Sequence, residues 1–419
     1  MEAGGMGVPA SKITRKIELH PIEGVQMKIL IATDCYLFNL GGIAASVLAL
    51  CSGLRHHGHE VKTLSLSNCN HSFRDRDDYY IKSAPALYYP DMRISFAMRE
   101  PLLKELEEWQ PDIIHIQTEG TARRMALKIN KHCRAPIVMT CHTDYGHFIF
   151  HKLKTTAPVK ILMRIAGKIL YSCADIVTAP SQKAAAFPFL DTVRDRLVII
   201  PNGTEINKYQ KHFTEEERRK FRASLGIDDH AGVLVMVTRL SKEKNIQELI
   251  SFLPGLLKKV PNTKYLIVGD GPYAKRLVKL TERLRISDSV IFAGRIPSQH
   301  VWQYYDAGDL FVSASTFESL SMSCLEALAN GLPMLCRADD ALTGILEHQK
   351  NGMIYHSETE FVDFAARILC NQKLRADMGQ FSTLKSADFT GDAFAAAMLS
   401  VYENAIAERK IRSNRERLK

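Results

Sequence analysis

The sequence predicts an α/β protein made of two consecutive units, each with a parallel sheet. Short β-rich runs alternate with amphipathic helical runs from Met27 onward, which is the βαβ rhythm of a parallel sheet covered by helices. The rhythm restarts after about residue 206, and the intervening PNGTEINKYQ has the Pro, Gly and Asn residues typical of a linker. The chain has 419 residues, which is too long for a single domain with one hydrophobic core, so two domains are expected.

Eleven runs have the length and composition of buried strands. In the first half they are KILIAT, EVKTLSL, DIIHIQT, PIVMTCHT, DIVTAPS and RLVIIPNG; in the second half they are VLVMVTRL, KYLIVGDG, SVIFAGRI, LFVSAS and PMLCRA. Because helical stretches separate these runs, we expect two Rossmann-like halves that face a cleft.

The same rhythm sets the expected domain boundaries. We expect a loose N-terminal extension, a first Rossmann-like domain, a second one, a C-terminal helix that crosses back onto the first half, and a basic tail, at residues 1–26, 27–203, 204–390, 391–410 and 411–419. The extension lacks the apolar core of a secretory signal, and no run of about 18 apolar residues occurs in the chain. We therefore expect a cytoplasmic protein.

Composition indicates a globular protein of a reducing compartment. Hydrophobic residues make up 46% of the chain, and its nine cysteines are scattered without a CxxC pair, which argues against a disulfide framework and a structural zinc site. The formal net charge of +9 suits phosphate-bearing ligands, an anionic membrane surface or nucleic acid. No nucleic-acid recognition motif or platform of interleaved aromatic residues is present, so we expect no nucleic-acid partner.

Basic residues and glycines recur where predicted strands end, which is the edge at which open parallel sheets bind ligands. Arg239 and Lys244 lie between a strand and a helix, and they form either an anion site or a solvated loop. The GDGPY turn with Gly271 and the pair Gly41–Gly42 either approach a ligand or only connect a strand to a helix. Neither glycine motif is GxGxxG or a P-loop.

His142 follows another buried-looking strand. A lone histidine at such a place is more often a core or loop residue than a catalytic one. The nearby Asp144 and His147 match no standard metal-ligand spacing, so we expect no metal site.

The stretch TFESLSMSCLEALANG places two carboxylates eight positions apart. Glu318 lies in a polar run, whereas Glu326 lies in an apolar, helix-like run that ends at Gly331. A buried carboxylate is costly unless a charged or hydrogen-bonding group meets it. The stretch therefore predicts partners for Glu326 elsewhere in the chain.

Together these motifs resemble the family 4 retaining glycosyltransferases of the GT-B fold, over about Met27 to Ala407. The matching elements, in order, are the glycine pair, HT at 142–143, APS at 179–181, VIIPNGTE at 198–205, RLSKEKN, VGDGP, FAGRIP and the E-x7-E stretch. The resemblance implies a hexosyltransferase whose donor is a nucleotide-diphosphate sugar.

The resemblance also implies a role for each matching residue. Glu326 would bind the ribose, Glu318 the transferred sugar, and Arg239 with Lys244 the diphosphate, whose developing charge they would stabilise. His142 would contact the sugar from the opposite domain. Further donor contacts are implied at Gly42, Gly271, Arg295, Ile296, Ser319, Leu320, Ser321 and Met322. Transfer would depend on leaving-group stabilisation, with no metal or other cofactor.

Two departures from the family pattern bear on the donor. Ser321 stands where the family usually has glycine, and RADDALTG replaces the GGxPE-like stretch expected after PMLC. A side chain at residue 321 would alter donor choice or weaken catalysis if the backbone there must approach the sugar. A catalytically silent GT-B protein that serves a partner is therefore an alternative function.

The segment HFIFHKLKTTAPVKILMRIAGKILYS (147–172) bears on the acceptor. Pro158 suits the first turn of a helix. One face of that helix would carry basic residues at intervals of four positions. Apolar residues lie beside that face, so the helix either rests on an anionic membrane or is a domain helix with a solvated stripe. The basic residues are Lys152 and Lys154 upstream and Lys160, Arg164 and Lys168 in the helix; the apolar ones are Ile161, Leu162, Ile165 and Ile169.

With HTDY before this helix and SKEKNIQ and GDGPY later, the chain is similar to the bacterial diacylglycerol glucosyltransferases. That similarity implies UDP-glucose as the donor, 1,2-diacylglycerol as the lipid acceptor, and peripheral attachment to the inner face of the cell membrane. Phosphatidylinositol, a lipid-linked sugar or a small soluble molecule is the alternative acceptor.

Overall fold

The computed structural model describes residues 26–37, 41–86, 89–144 and 157–417. The expected extension therefore lies outside the described residues, apart from residue 26, and so do Lys152 and Lys154. The described chain forms two compact units. One contains the residues up to Asn202 and those from Gly391 onward, and the other is Gly203–Thr390.

The first unit is built on a mostly parallel sheet. Its strands are β1 Lys28–Ala32, β2 Glu60–Leu66, β3 Phe73–Asp75, β4 Asp78–Ile81, β5 Ala84–Ala86, β6 Tyr89–Ile94, β7 Ile113–Ile116, β8 Ile137–Thr140, β9 Ile176–Ala179 and β10 Leu197–Ile199. The main sheet has the order β10-β9-β8-β7-β1-β2-β4-β3, in which β3 alone runs antiparallel to its neighbour, while β5 and β6 form a separate antiparallel pair. The four strands β3 to β6 were not predicted, because they are short and interrupted by charged residues and prolines.

Helices cover both faces of this sheet. They are α1 Gly42–His56, α2 Pro101–Trp109, α3 Thr121–Cys133, α4 Ala157–Tyr171 and the short α5 Gln182–Ala185. Along β1, Leu30 packs into one core cluster and its neighbours Ile29 and Ile31 pack into the other. Successive side chains of a strand point to opposite faces, so the unbroken apolar run of β1 follows from burial on both sides.

The second unit is a six-stranded parallel sheet with the order β13-β12-β11-β14-β15-β16. Its strands are β11 Gly232–Val237, β12 Thr263–Val268, β13 Val290–Gly294, β14 Leu310–Ser313, β15 Met334–Arg337 and β16 Gly352–Tyr355. Its helices are α6 Glu215–Ser224, α7 Ile246–Lys259, α8 Ala274–Leu284, α9 Ser298–Asp306, α10 Met322–Ala329, α11 Glu358–Leu369 and α12 Gln372–Ser386. The predicted α/β class with two parallel sheets is confirmed; the short β16 is the strand that the sequence did not predict.

This strand order is that of a Rossmann sheet, in which the direction of winding reverses between the first and the fourth strand. In the second unit the reversal lies between β11 and β14, and in the first unit it lies between β1 and β7. Ligands of open α/β sheets bind at the carboxyl ends of the strands beside such a reversal.

The last helix, α13 Gly391–Arg417, belongs to the first unit. It packs against α1 so closely that a Cβ atom on Gly53 would lie 2.3 Å from the carbonyl oxygen of Gly391. The helix continues beyond its predicted end at residue 410.

Candidate functional site

The reversal point of the second sheet brings together charged residues that lie far apart in the sequence. Arg239 and Lys244 follow β11, and Glu318 follows β14. The Nζ of Lys244 lies 2.5 Å from Oε1 of Glu318, which also accepts a hydrogen bond of 3.2 Å from Ser315 Oγ. Lys244 and Glu318 therefore form a half-buried ion pair, and the solvated-loop interpretation does not hold for the Lys244 side chain.

The two glycines of GDGPY follow β12 and serve the packing of this loop. A Cβ atom on Gly269 would lie 1.9 Å from the carbonyl oxygen of Thr238, and one on Gly271 would lie 2.4 Å from that of Leu240. Gly269 also has a φ of +131°, which disfavours other residues. The glycines thus let the loop after β12 pack against the backbone on both sides of Arg239.

Glu326 meets two hydrogen-bond donors. Tyr209 Oη donates to Oε1 at 2.9 Å, and Tyr305 Oη donates to Oε2 at 2.7 Å. Burial raises the pKa of the Glu326 carboxyl group, and the two phenol hydrogen bonds lower it in part. The partners predicted for this carboxylate are therefore two tyrosines. Tyr209 directly follows the turn Ile206–Lys208, and Tyr305 lies in α9.

The separation between Glu318 and Glu326 is only partly helical. Helix α10 begins at Met322, so Glu318 precedes the helix and Glu326 lies within it. Ser321 is the N-cap of this helix, and its Oγ accepts a hydrogen bond of 3.4 Å from the backbone N–H of Cys324. Its φ of −84° requires no glycine, so capping gives a local reason for the serine.

The other predicted donor contacts lie at several strand ends. Ser319 and Leu320 precede the cap, Met322 is the first residue of α10, and Arg295 and Ile296 follow β13. Gly271 lies in the loop described above, and Gly42 begins α1 in the first unit.

A small cleft beside Glu318 also includes residues of the divergent RADDALTG stretch. Its lining contains Ser313, Ser315, Ser321, Arg337 and Asp339. Arg337 is held by Glu248, whose Oε2 lies 2.6 Å from the guanidinium Nη1. The departure from the family pattern therefore contributes a fixed cation at the edge of the candidate site.

His142 lies just beyond the carboxyl end of β8 in the first unit, and 9% of its surface is exposed. Its Nε2 lies 2.6 Å from Oε1 of Gln117, which follows β7. Burial lowers the pKa of His142 to about 4, so its imidazole is neutral at physiological pH.

Helix α4 exposes an unusual amount of apolar surface. The exposed fractions are 58% for Ile161, 52% for Leu162, 53% for Ile165 and 66% for Ile169. Met163, Gly167 and Tyr171 lie on the buried side, and Arg164 and Lys168 are exposed. The side chain of Lys160 lies outside the description. The apolar residues predicted to lie beside the basic ones therefore project away from the core.

None of the described helices combines the length and apolar character needed to cross a bilayer.

Several residues that complete these arrangements were missed by sequence reasoning. Tyr305 lies within an ordinary amphipathic helix, and Tyr209 lies in the expected linker, so neither stands out as a partner of Glu326. Gln117 had a signal that was not used: with His115 it places two polar residues at alternate positions at the end of an apolar strand.

Two family descriptions match the chain, one in each half. "Glycosyltransferase Family 4" matches residues 40–208, and "Glycosyl transferases group 1" matches residues 217–384. The chain is a family 4 glycosyltransferase of the GT-B fold. The predicted family and the predicted hexosyltransferase class are therefore confirmed.

Two curated relatives and one solved structure illustrate the similarity of this glycosyltransferase to known proteins. It is 28% identical to the alpha-monoglucosyldiacylglycerol synthase of Streptococcus pneumoniae, over 91% of this chain and 86% of the relative. It is 27% identical to the enzyme of that name from Acholeplasma laidlawii, over 93% and 100%. Anabaena HepE, solved with UDP and glucose, superposes with a TM-score of 0.67 at 19% identity, over 90% of this chain and 100% of HepE.

Proposed function

We propose that this glycosyltransferase moves glucose from UDP-glucose to 1,2-diacylglycerol, with retention of the anomeric configuration, at the cytoplasmic face of the cell membrane. The observation that carries the proposal is the exposed apolar and basic face of α4. Two relatives that cover nearly the whole chain are monoglucosyldiacylglycerol synthases, which supports the same donor and acceptor here.

The donor would lie at the carboxyl edge of the second sheet. Arg239 and Lys244 supply positive charge there, and the backbone N–H groups at the start of α10 add the positive end of its dipole. These groups would bind the diphosphate and stabilise the charge that develops as UDP leaves. Glu318 would accept hydrogen bonds from the transferred sugar and Glu326 from the ribose.

The reaction needs no further cofactor under this proposal. The cations of Arg239 and Lys244 would supply the charge stabilisation that a metal ion supplies in other transferases. Activity is therefore expected to persist in excess EDTA, and a loss that added Mg²⁺ or Mn²⁺ reverses would contradict this part of the proposal.

The acceptor reaches the enzyme from a lipid surface, and α4 would bring the enzyme to it. An interfacial helix buries its apolar face at the headgroup boundary, while its Lys and Arg side chains attract anionic lipids. Four exposed, large apolar side chains with Arg164 and Lys168 match that requirement, whereas an ordinary domain helix would leave mainly polar groups in water.

The decisive experiment measures nucleotide diphosphate release from a panel of UDP- and GDP-sugars, with and without anionic liposomes that contain diacylglycerol. We expect release from UDP-glucose that rises sharply with the lipid. Release that ignores lipid would leave a transferase with a soluble acceptor, and no release from any donor would favour a silent partner protein.

Matched variants test the role of α4 separately. The double variant Ile165→Ser/Ile169→Ser should bind these liposomes at least about tenfold more weakly, because it removes two large apolar side chains from the contact. Leu384→Ser is the control, since Leu384 is 69% exposed on α12 of the other unit. Equal binding by the double variant and the control would exclude α4 as the membrane contact.

A further inference from the structure

Behind His142 lies a continuous chain of buried polar side chains in the first unit. Gln117 Oε1 lies 2.6 Å from His142 Nε2, and His115 lies on the far side of the Gln117 amide. His115 Nδ1 lies 2.7 Å from the hydroxyl of Tyr402 on α13, and His115 Nε2 lies 2.7 Å from Thr140 Oγ1. Gln117, His115 and Tyr402 are each at most 1% exposed.

The distances fix the orientation of the Gln117 amide. Its Nε2 lies 3.3 Å and 3.2 Å from the two ring nitrogens of His115. Tyr402 and Thr140 already occupy the in-plane positions of those nitrogens, so the amide nitrogen lies over the ring face. An N–H group is favoured over an electron-rich ring face and a carbonyl oxygen is not. The carbonyl oxygen of Gln117 therefore points to His142.

We propose that Gln117 is a positioning residue that holds His142 as the neutral tautomer with its proton on Nε2, and that His115, anchored to Tyr402, holds Gln117. A carbonyl oxygen can only accept a hydrogen bond, so the nitrogen that faces it must donate. The backbone N–H of Gln117 donates to the carbonyl oxygen of Ala32 at 2.8 Å, which places this residue at the reversal point of the first sheet.

The surroundings favour the neutral form of both histidines. Burial lowers the pKa of His115 to about 3 and that of His142 to about 4, and the nearby His142 ring also lowers the pKa of His115. Two carboxylates come from the neighbouring loops, Glu119 after β7 and Asp144 after β8; after burial, they too raise the pKa of the Cys141 thiol. Neither carboxylate lies between Gln117 and His142.

The tautomer has a consequence for the reaction, and this step rests on the proposed function. With the proton on Nε2, the Nδ1 of His142 carries the lone pair and accepts hydrogen bonds. His142 would then accept from a hydroxyl group of the transferred sugar instead of donating to it.

The test observes the imidazole of His142 directly. Long-range ¹H–¹⁵N spectra of protein with labelled histidine report the tautomer and the pKa, and His142→Asn assigns the signal. We expect the Nε2–H tautomer in the natural chain. Gln117→Leu should mix the tautomers, and Gln117→Glu should restore Nε2–H while raising the pKa, because a carboxylate favours the imidazolium.

Activity measurements then ask whether the orientation matters. Gln117→Leu should lower kcat about tenfold or more with little change in the donor KM, since small misplacements of a reacting group have effects of this size. Gln117→Glu should recover activity at high pH and lose it as the pH falls. Gln182→Leu is the control, an exposed glutamine of the same unit.

An unchanged His142 signal in Gln117→Leu would overturn the proposal, whereas a changed signal with unchanged kcat would overturn only its consequence for the reaction. His142→Ala separates this inference from the proposed function. Full activity in His142→Ala would remove His142 from the sugar site, while the spectra would still decide whether Gln117 sets its tautomer.

Discussion

Both units place polar groups at the carboxyl ends of their strands, but the groups described here are neutral in the first unit and ionic in the second. In the first unit His142, Gln117 and His115 form a neutral chain, and burial keeps the histidines uncharged. In the second unit Lys244 and Glu318 form an ion pair, and Glu326 is a carboxyl group held by two phenols. The unit with this ion pair is the one proposed to bind the diphosphate.

This difference explains why the second unit was easier to interpret from sequence. Lys244, Glu318 and Glu326 stand out because charged residues near apolar runs need a reason, and their order along the chain is distinctive. A neutral hydrogen-bonded chain needs no unusual residue type. Its members come from β7, β8 and α13, so only the folded chain brings them together.

The largest expected effect comes from breaking the ion pair of the second unit. Lys244→Ala should lower kcat by about a hundredfold or more, since it removes a cation aimed at the developing charge and breaks the ion pair with Glu318. The measurement is steady-state transfer at saturating donor. Lys242→Ala in the same turn is the control, because Lys242 is exposed. Equal kcat in the two variants would assign Lys244 to a structural role.

A smaller effect on catalysis is expected from replacing Glu326, whose carboxylate accepts hydrogen bonds from Tyr209 and Tyr305. Glu326→Ala should raise the donor KM by well over tenfold, because several hydrogen bonds to one ligand are lost together. Tyr305→Phe should raise it less, since Oε1 keeps its bond from Tyr209. A donor KM that stays constant in Glu326→Ala would remove this residue from the ribose role.

The pH dependence of stability should separate the units. His115 and His142 have pKa values lowered to about 3 and 4, so they favour the folded state above the ordinary histidine pKa of about 6.5 and cease to do so as the pH falls below it. As the pH falls from about 6.5 to about 4, each histidine should lower the free energy of unfolding by about 1.4 kcal/mol per pH unit. His115→Gln should reduce the slope.

The two tryptophans allow this measurement in each unit. Trp109 lies in α2 and Trp302 in α9, so Trp302→Phe leaves a reporter in the first unit and Trp109→Phe leaves one in the second. Denaturant titrations between pH 7 and pH 4 should show the histidine-dependent slope through Trp109. The same slope in Trp109 fluorescence with and without His115→Gln would contradict the assignment.

The fold was largely predictable, whereas the details of the site were predictable only in part. Every predicted strand is present, because each is an apolar run bounded by turn residues. Strands β3 to β6 and β16 were missed, since their pairing depends on neighbours and not on a long apolar pattern. Sequence order located Arg239, Lys244 and Glu318 at strand ends, but it could not reveal that Glu318 pairs with Lys244 or that Tyr209 and Tyr305 hold Glu326.

The smallest expected effect concerns Ser321. The question is whether this serine only caps α10 or also determines which sugar donor is accepted. Ser321→Ala should destabilise the start of α10 by about 1 kcal/mol, whereas Ser321→Gly should cost only a few tenths of that. Hydrogen exchange at the Cys324 amide, which donates to this serine, measures the local loss. If the serine only caps the helix, Ser321→Gly will leave the order of preference among UDP- and GDP-sugars unchanged. A glycine variant that accepts a different sugar, with the same exchange rate at Cys324, would instead show that the side chain limits the donor.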